Sequence, residues 1–130
     1  MIERWGWRPY LPAVQSAASR MGVDPALILA VIGIESAFKP TAVRGEPHLN
    51  DSSYGLMQLL GTTARGLGYT GAPSGLFDPI VNIELGALLL RDLVRARGGS
   101  LEKALSEYNG GGWAGPGVCG AGAARGGGGG

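Results

Sequence analysis

Apolar residues recur along most of this chain with the period of a helix, and Gly, Pro and Asp cut the pattern into segments. In residues 9–21, Tyr10, Val14, Ala17, Ala18 and Met21 recur at spacings of three and four, which predicts an amphipathic helix closed by Gly22. Asp24-Pro25 opens the next helix, with Asp as N-cap and Pro at the first helical position. It is expected to run to about Phe38, with Pro40 as its stop. Leu27, Ile28, Val31, Ile32 and Ile34 cover most of its circumference, and a helix apolar nearly all round belongs at the centre of its domain.

Residues 39–53 read as a polar loop. The segment from Tyr54 to Leu60 is short and apolar, and periodicity leaves open whether it is a helical turn or extended. Thr62 or Thr63 can cap a short helix ending near Gly66–Gly68, and residues 69–77 form a turn-rich loop. Asp78-Pro79 repeats the capping device and starts the longest helix, about 79–97. Its stripe is Ile80, Ile83, Ala87, Leu90 and Val94, widened by Leu89 and Leu93. Gly98-Gly99 ends it, and Ser100 caps a last helix to about Tyr108, with Leu101, Ala104, Leu105 and Tyr108 inward. No run shows strand alternation. The expected fold class is all-α, with two long polar loops over a helical core.

Composition shortens the foldable unit. Of the 25 glycines in 130 residues, twelve fall in residues 110–130. Such a low-complexity stretch cannot offset its ordering entropy. One domain over residues 1–109 is therefore expected, followed by a disordered Gly-rich tail at 110–130, from which Trp113 could still fold back onto the domain. The 45% of hydrophobic residues suffices for one small core.

Charge and residue counts exclude several chemistries. The formal net charge is +1 and the charges are scattered, which argues against nucleic acid as the main ligand. Cys119 is the single cysteine and His48 the single histidine, so neither an internal disulfide nor a zinc site is expected. A Ser-His-Asp triad would have to use His48, in a loop with no nucleophile elbow near it. The first ten residues lack the apolar core and cleavage site of a signal peptide. No apolar run approaches the roughly 20 residues of a membrane span. The expectation is a protein made in the cytoplasm, a monomer, without metal or cofactor.

Glu35 is the residue with the most chemistry. It sits in the last turn of an oily helix that carries no other charge to neutralise it. Burial and the negative end of the helix dipole both disfavour its carboxylate, so its pKa is expected to rise. A carboxyl still protonated near neutral pH can donate to a leaving oxygen. Gly55-Leu56-Met57-Gln58 offers close approach of a ligand and an amide suited to sugar hydroxyls. Tyr108-Asn109 offers a hydroxyl for the acid, a ring for a sugar face and an amide for an acetamido group. Asn109 also suits a helix C-cap. Asp51 and Glu46 are possible second carboxylates of the kind glycosidases use, or simply solvated loop charges.

Glu35-Ser36, then Gly55-Leu56-Met57-Gln58, then Tyr108-Asn109, in that order and spacing, resemble the lytic transglycosylase family, with its SLT domain of goose-type lysozyme-like fold. AspProAlaLeuIleLeuAlaValIle before the Glu, PheLysPro after it, and LeuPheAspPro…AsnIle…LeuGly at 76–86 extend the likeness over about residues 10–112. The resemblance implies cleavage of the β-1,4 bond between N-acetylmuramic acid and N-acetylglucosamine in peptidoglycan glycan strands. Glu35 would be the acid and then the base that closes a 1,6-anhydro ring. Ser53, Tyr54, Met57 and Gln58 would line the sugar subsites, and Tyr108 and Asn109 would hold Glu35 and the acetamido group. The long loop and the absent signal peptide are closer to phage-encoded members, acting on the cell wall after release or within a phage particle. Two alternatives accompany this reading: a hydrolytic muramidase using Glu35 with Asp51, and a non-catalytic peptidoglycan-binding or phage structural component. The chain departs from the family pattern in the length of the loop from Thr41 to Ser53, and after Asn109, where members continue with a closing helix and this sequence turns to glycine.

Overall fold

A computed structural model of the chain describes residues 6–110. Of the Gly-rich stretch expected to be a tail, only Gly110 is among them; residues 111–130, with Trp113 and Cys119, lie outside. Five α-helices form among the described residues: α1 (Leu11–Met21), α2 (Pro25–Ser36), α3 (Gly61–Gly66), α4 (Pro79–Ala96) and α5 (Leu101–Gly110). Three short strands lie between α2 and α3: β1 (Val43–Glu46), β2 (Asp51–Tyr54) and β3 (Leu59–Leu60).

The helix boundaries follow from local chemistry. Gly22 takes φ 67° and ends α1 in the left-handed conformation that a side chain disfavours. The Asp24 carboxylate accepts from the Ala26 amide at 2.9 Å, and the Asp78 carboxylate accepts from the Ile80 amide at 2.9 Å, so both Asp-Pro pairs cap as expected. The Ser100 hydroxyl accepts from the Lys103 amide at 3.2 Å and opens α5. One expected boundary shifts. α2 stops at Ser36, because Ala37 and Phe38 both enter the left-handed region.

α4 is the hub, packing against α1, α2 and α5. Val14, Ala17, Ile28, Ile32, Ile83, Leu90, Leu93 and Ala104 fill the core. Three residues expected inside are not: Ile34 is 71% exposed, Ile80 62% and Leu101 49%. Ile34 shows that α2 is central over only part of its circumference. Among the described residues, no helix is long and apolar enough to cross a membrane.

The hairpin corrects the expected loop at 39–53. β1 and β2 pair antiparallel with Arg44 opposite Ser53 and Glu46 opposite Asp51, and β3 pairs with β2. Periodicity did not indicate it because the strands are only four, four and two residues long. Their pairing fixes one wall of a cleft.

Gly55, at φ 79°, turns the chain from β2 into the Leu56–Gln58 segment. A Cβ at this position would collide with the Asn82 amide and the Leu76 carbonyl, both held rigidly. Gly55→Ala is therefore expected to cost about 3 kcal/mol or more, from strain and overpacking together. Thermal denaturation should show a melting temperature lower by on the order of 10 °C.

Candidate active site

Glu35 faces a cleft because α2 ends directly after it. The Ala37 amide donates to Gly33 O at 3.2 Å and the Lys39 amide to Ser36 O at 3.0 Å, so the chain turns away and uncovers the last turn. The side chain is half-buried, and among the described residues its carboxylate accepts no hydrogen bond. Burial pushes its pKa up; Arg44 opposes the shift and Glu46 adds to it. The direction is the expected one. The part played by Arg44 and Glu46 lies outside α2 and has no trace in the helix sequence.

Of the residues proposed from sequence, Glu35, Ser53, Gln58, Tyr108 and Asn109 border one cleft. Residues separated by more than seventy positions converge there, because the hairpin, the turn after Gly55 and the end of α5 all close on the end of α2. Arg44, Glu46, His48, Leu49, Thr63 and Glu107 are also among its lining residues. Glu107 accepts from Arg97 Nε at 2.6 Å through Oε1, while its buried Oε2 has no partner among the described residues.

Several expected contacts are replaced by others. The Tyr108 hydroxyl does not bond Glu35; it donates to Met57 O at 2.7 Å. Burial and the nearby Glu35 charge hold that phenol well above its ordinary pKa, so it remains a donor. Met57 does not line the cleft. Its side chain is fully buried and packs against Gly86 of α4, where a Cβ would have no room. Tyr54 is half-buried with its ring edge-on to Phe77, at 5.7 Å between centroids, and is not among the cleft-lining residues. Gln58 takes φ 50° and spends its amide nitrogen on Gly55 O at 2.9 Å and Ala42 O at 3.1 Å, which leaves Oε1 as the atom able to accept from a ligand. The Ser53 hydroxyl donates to Glu46 Oε2 at 3.3 Å.

Asp51 is also accounted for. Its carboxylate accepts from the amides of Ser52 (2.7 Å), Gly61 (3.2 Å) and Thr62 (2.9 Å), and from the Thr62 hydroxyl at 2.9 Å. Partial burial pushes its pKa up, but these hydrogen bonds outweigh burial and hold it below the ordinary value. It caps the start of α3, a task assigned from sequence to Thr62 or Thr63, and does not border the cleft. Of the two candidate second carboxylates, Glu46 is the one that borders it.

Asn82 was not assigned a role from sequence. It is fully buried on α4. Its Oδ1 accepts from the Met57 amide at 2.7 Å, and its Nδ2 donates to Leu76 O at 2.8 Å and Tyr54 O at 2.9 Å. The Met57 peptide is thus held at its N–H by Asn82 and at its C=O by Tyr108. A signal was present: Asn82, Gly86, Leu89 and Leu93 lie at helical spacing on one buried stripe, and Asn82 is the polar member.

The transglycosylase SLT domain family matches residues 12–115. The chain belongs to this family. The SLT family chain is 39% identical over 116 residues to the membrane-bound lytic murein transglycosylase C of Yersinia enterocolitica, and 38% identical to that of Yersinia pestis. Each alignment covers 78% of this chain and 31% of the relative, so the chain spans about a third of the length of these proteins. Its fold matches the X-ray structure of an inactive Glu-to-Gln mutant of the lytic transglycosylase Slt from Pseudomonas aeruginosa. The TM-score is 0.69 with 28% identity, over 77% of this chain and 16% of that one. The architecture is therefore the lysozyme-like SLT fold expected from the sequence.

Proposed function

We propose that this SLT domain is a peptidoglycan lytic transglycosylase with Glu35 as its acid and base. The observation that carries the reading is a half-buried carboxyl, its pKa raised chiefly by burial, in a cleft bordered by Ser53, Gln58, Tyr108 and Asn109. The relatives named as lytic murein transglycosylases support the substrate class, and the solved relative described as an inactive Glu-to-Gln mutant fits the choice of an acid.

In this mechanism the Glu35 proton passes to the glycosidic oxygen between N-acetylmuramic acid and N-acetylglucosamine as the C1–O bond breaks. The muramoyl C6 hydroxyl oxygen then bonds to C1, and its proton returns to Glu35. The product carries a 1,6-anhydro ring and the acid is regenerated without water. Gln58 Oε1 and the Asn109 amide are the groups free to accept from and donate to sugar substituents. Tyr108 contributes by fixing the Met57 peptide beside the cleft, a role one step removed from the substrate. Neither metal nor cofactor enters the reaction.

Asp51 has its oxygens committed to the α3 N-terminus, which weakens the hydrolytic alternative built on that residue. The reading extends to a monomeric domain over residues 1–109, acting on the cell wall as a phage-encoded lysin or within a phage particle. Mass spectrometry of muropeptides released from purified peptidoglycan tests the reaction. Products lighter by one water, without a reducing end, are expected. Reducing-end products would replace the transglycosylase with a hydrolase. No release by a folded sample would leave a purely binding role.

A further inference from the structure

The cleft holds one feature that the single-acid mechanism does not use. Arg44 and Glu46 lie two residues apart on β1, so both project to the same face of the hairpin. Ser53, directly opposite Arg44, shares that face. Glu46 Oε2 accepts from Arg44 Nε at 2.8 Å and from the Ser53 hydroxyl at 3.3 Å. Oε1 accepts nothing among the described residues. Glu46 is mostly covered, with its side chain 16% exposed, whereas Arg44 is 60% exposed. An ion pair this open to solvent adds little to stability. Its clear structural effect is to clamp one carboxylate oxygen and leave the other without a partner among the described residues, in the cleft that Glu35 also lines.

We propose that Glu46 is a second catalytic carboxylate of the cleft, a fixed anion whose free Oε1 faces the sugar carbon at which positive charge develops. The inference rests on the reading of Glu35 as the acid. As the Glu35 proton moves to the glycosidic oxygen and the C1–O bond breaks, positive charge spreads over C1 and the ring oxygen. An anion already in place stabilises that charge without reorganising. Glu46 gains and loses no proton. It remains ionised because the Arg44 hydrogen bond, assisted by Ser53 and the nearby His48, holds its pKa below the ordinary value against a contrary effect of burial. The same negative charge disfavours ionisation of Glu35. Glu35 and Glu46 thus have pKa values pushed in opposite directions, up by burial for the one and down by a hydrogen-bonded cation for the other. The other charged or titratable groups around the pair are Arg44, His48, Tyr108 and Glu107, the last tied to Arg97.

Two measurements on the full chain test this. In the first, Glu46→Gln is assayed on peptidoglycan across pH. A kcat lower by about tenfold or more is expected, with KM within about threefold. In the second, the Glu35 carboxyl is titrated by carbon NMR without substrate. Glu46→Gln should lower its pKa, because an anion is removed and Arg44 is left uncompensated, and Arg44→Gln should raise it. The titration checks that the Glu46 charge is felt at Glu35, and the fall in kcat at nearly constant KM separates a catalytic role from a structural one. If Glu46→Gln does not fold, Glu46→Asp keeps the charge but withdraws it from Arg44 and Ser53, and should also reduce kcat. A kcat within twofold of wild type for the folded variant, or a Glu35 titration unmoved, overturns the proposal. Retention of activity by Glu35→Gln would instead overturn the reading of the acid, and the two failures are read on different variants.

Discussion

Glu35→Gln is expected to abolish peptidoglycan cleavage while making the folded protein more stable at neutral pH. The loss in kcat should be about 10² to 10⁴-fold, the contribution of a positioned general acid. Glycan binding should stay within a few-fold, because Gln keeps the shape and the Ser53, Gln58 and Asn109 surroundings are untouched. The stability gain has a definite sign. Burial raises the Glu35 pKa in the folded state, so the folded protein holds its proton more tightly than the unfolded chain does. That contribution to stability is fully present below the unfolded value and is lost as pH rises through the folded one. Above that window the wild type carries the cost of a half-buried carboxylate, and the amide does not. Melting temperatures of the two proteins should converge in acid and separate toward neutral pH, with the variant higher. Equal melting temperatures at neutral pH would mean that the carboxylate is not destabilised, and the acid would lose its physical basis. Lysis by the variant would place the acid elsewhere.

What the sequence disclosed about this site, and what it did not, divides along the range of the forces involved. Asp24-Pro25, Asp78-Pro79, Gly22 and Ser100 act within a few residues of themselves, and each closes or opens a helix as expected. Glu35 was visible because a lone carboxyl at the end of an apolar run violates the local pattern. The hairpin was not, since its strands are short and their pairing joins Val43 to Tyr54. The partners of long-range polar groups were misassigned for the same reason. Tyr108 reaches a carbonyl 51 residues away, and no spacing rule distinguishes that carbonyl from the carboxyl of Glu35. Met57 shows the limit of a motif: it belongs to the recognisable segment, yet its side chain packs into the hollow left by Gly86 and only its backbone serves the cleft.

Asn82→Ala should be the most damaging substitution outside the catalytic group. It removes an acceptor from the buried Met57 amide and a donor from the carbonyls of Tyr54 and Leu76. Each group left without a partner away from water costs about 1–3 kcal/mol. The sum, roughly 3–9 kcal/mol, is comparable with the whole stability of a domain this size, about 5–15 kcal/mol. Urea denaturation should show a lower midpoint with an unchanged slope. Activity should fall further than the folded fraction does. The Met57 peptide is held by Asn82 on one side and Tyr108 on the other, and Gln58 follows it directly. Freeing the N–H side loosens the turn that carries Gln58 and the anchor of Tyr108. Asn82→Asp separates the acceptor from the donor function. An ionised aspartate still accepts from Met57 but presents a negative oxygen to two carbonyls. Its pKa in the folded state must therefore rise above the usual value near ~3.9. Protonation restores a donor for one carbonyl, so this variant should be most stable below the unfolded pKa and lose stability as pH rises through the folded one. Stability of Asn82→Asp that is flat with pH would mean that the Tyr54 and Leu76 carbonyls find other donors. The turn beside the cleft would then be held by packing against Gly86 rather than by this amide.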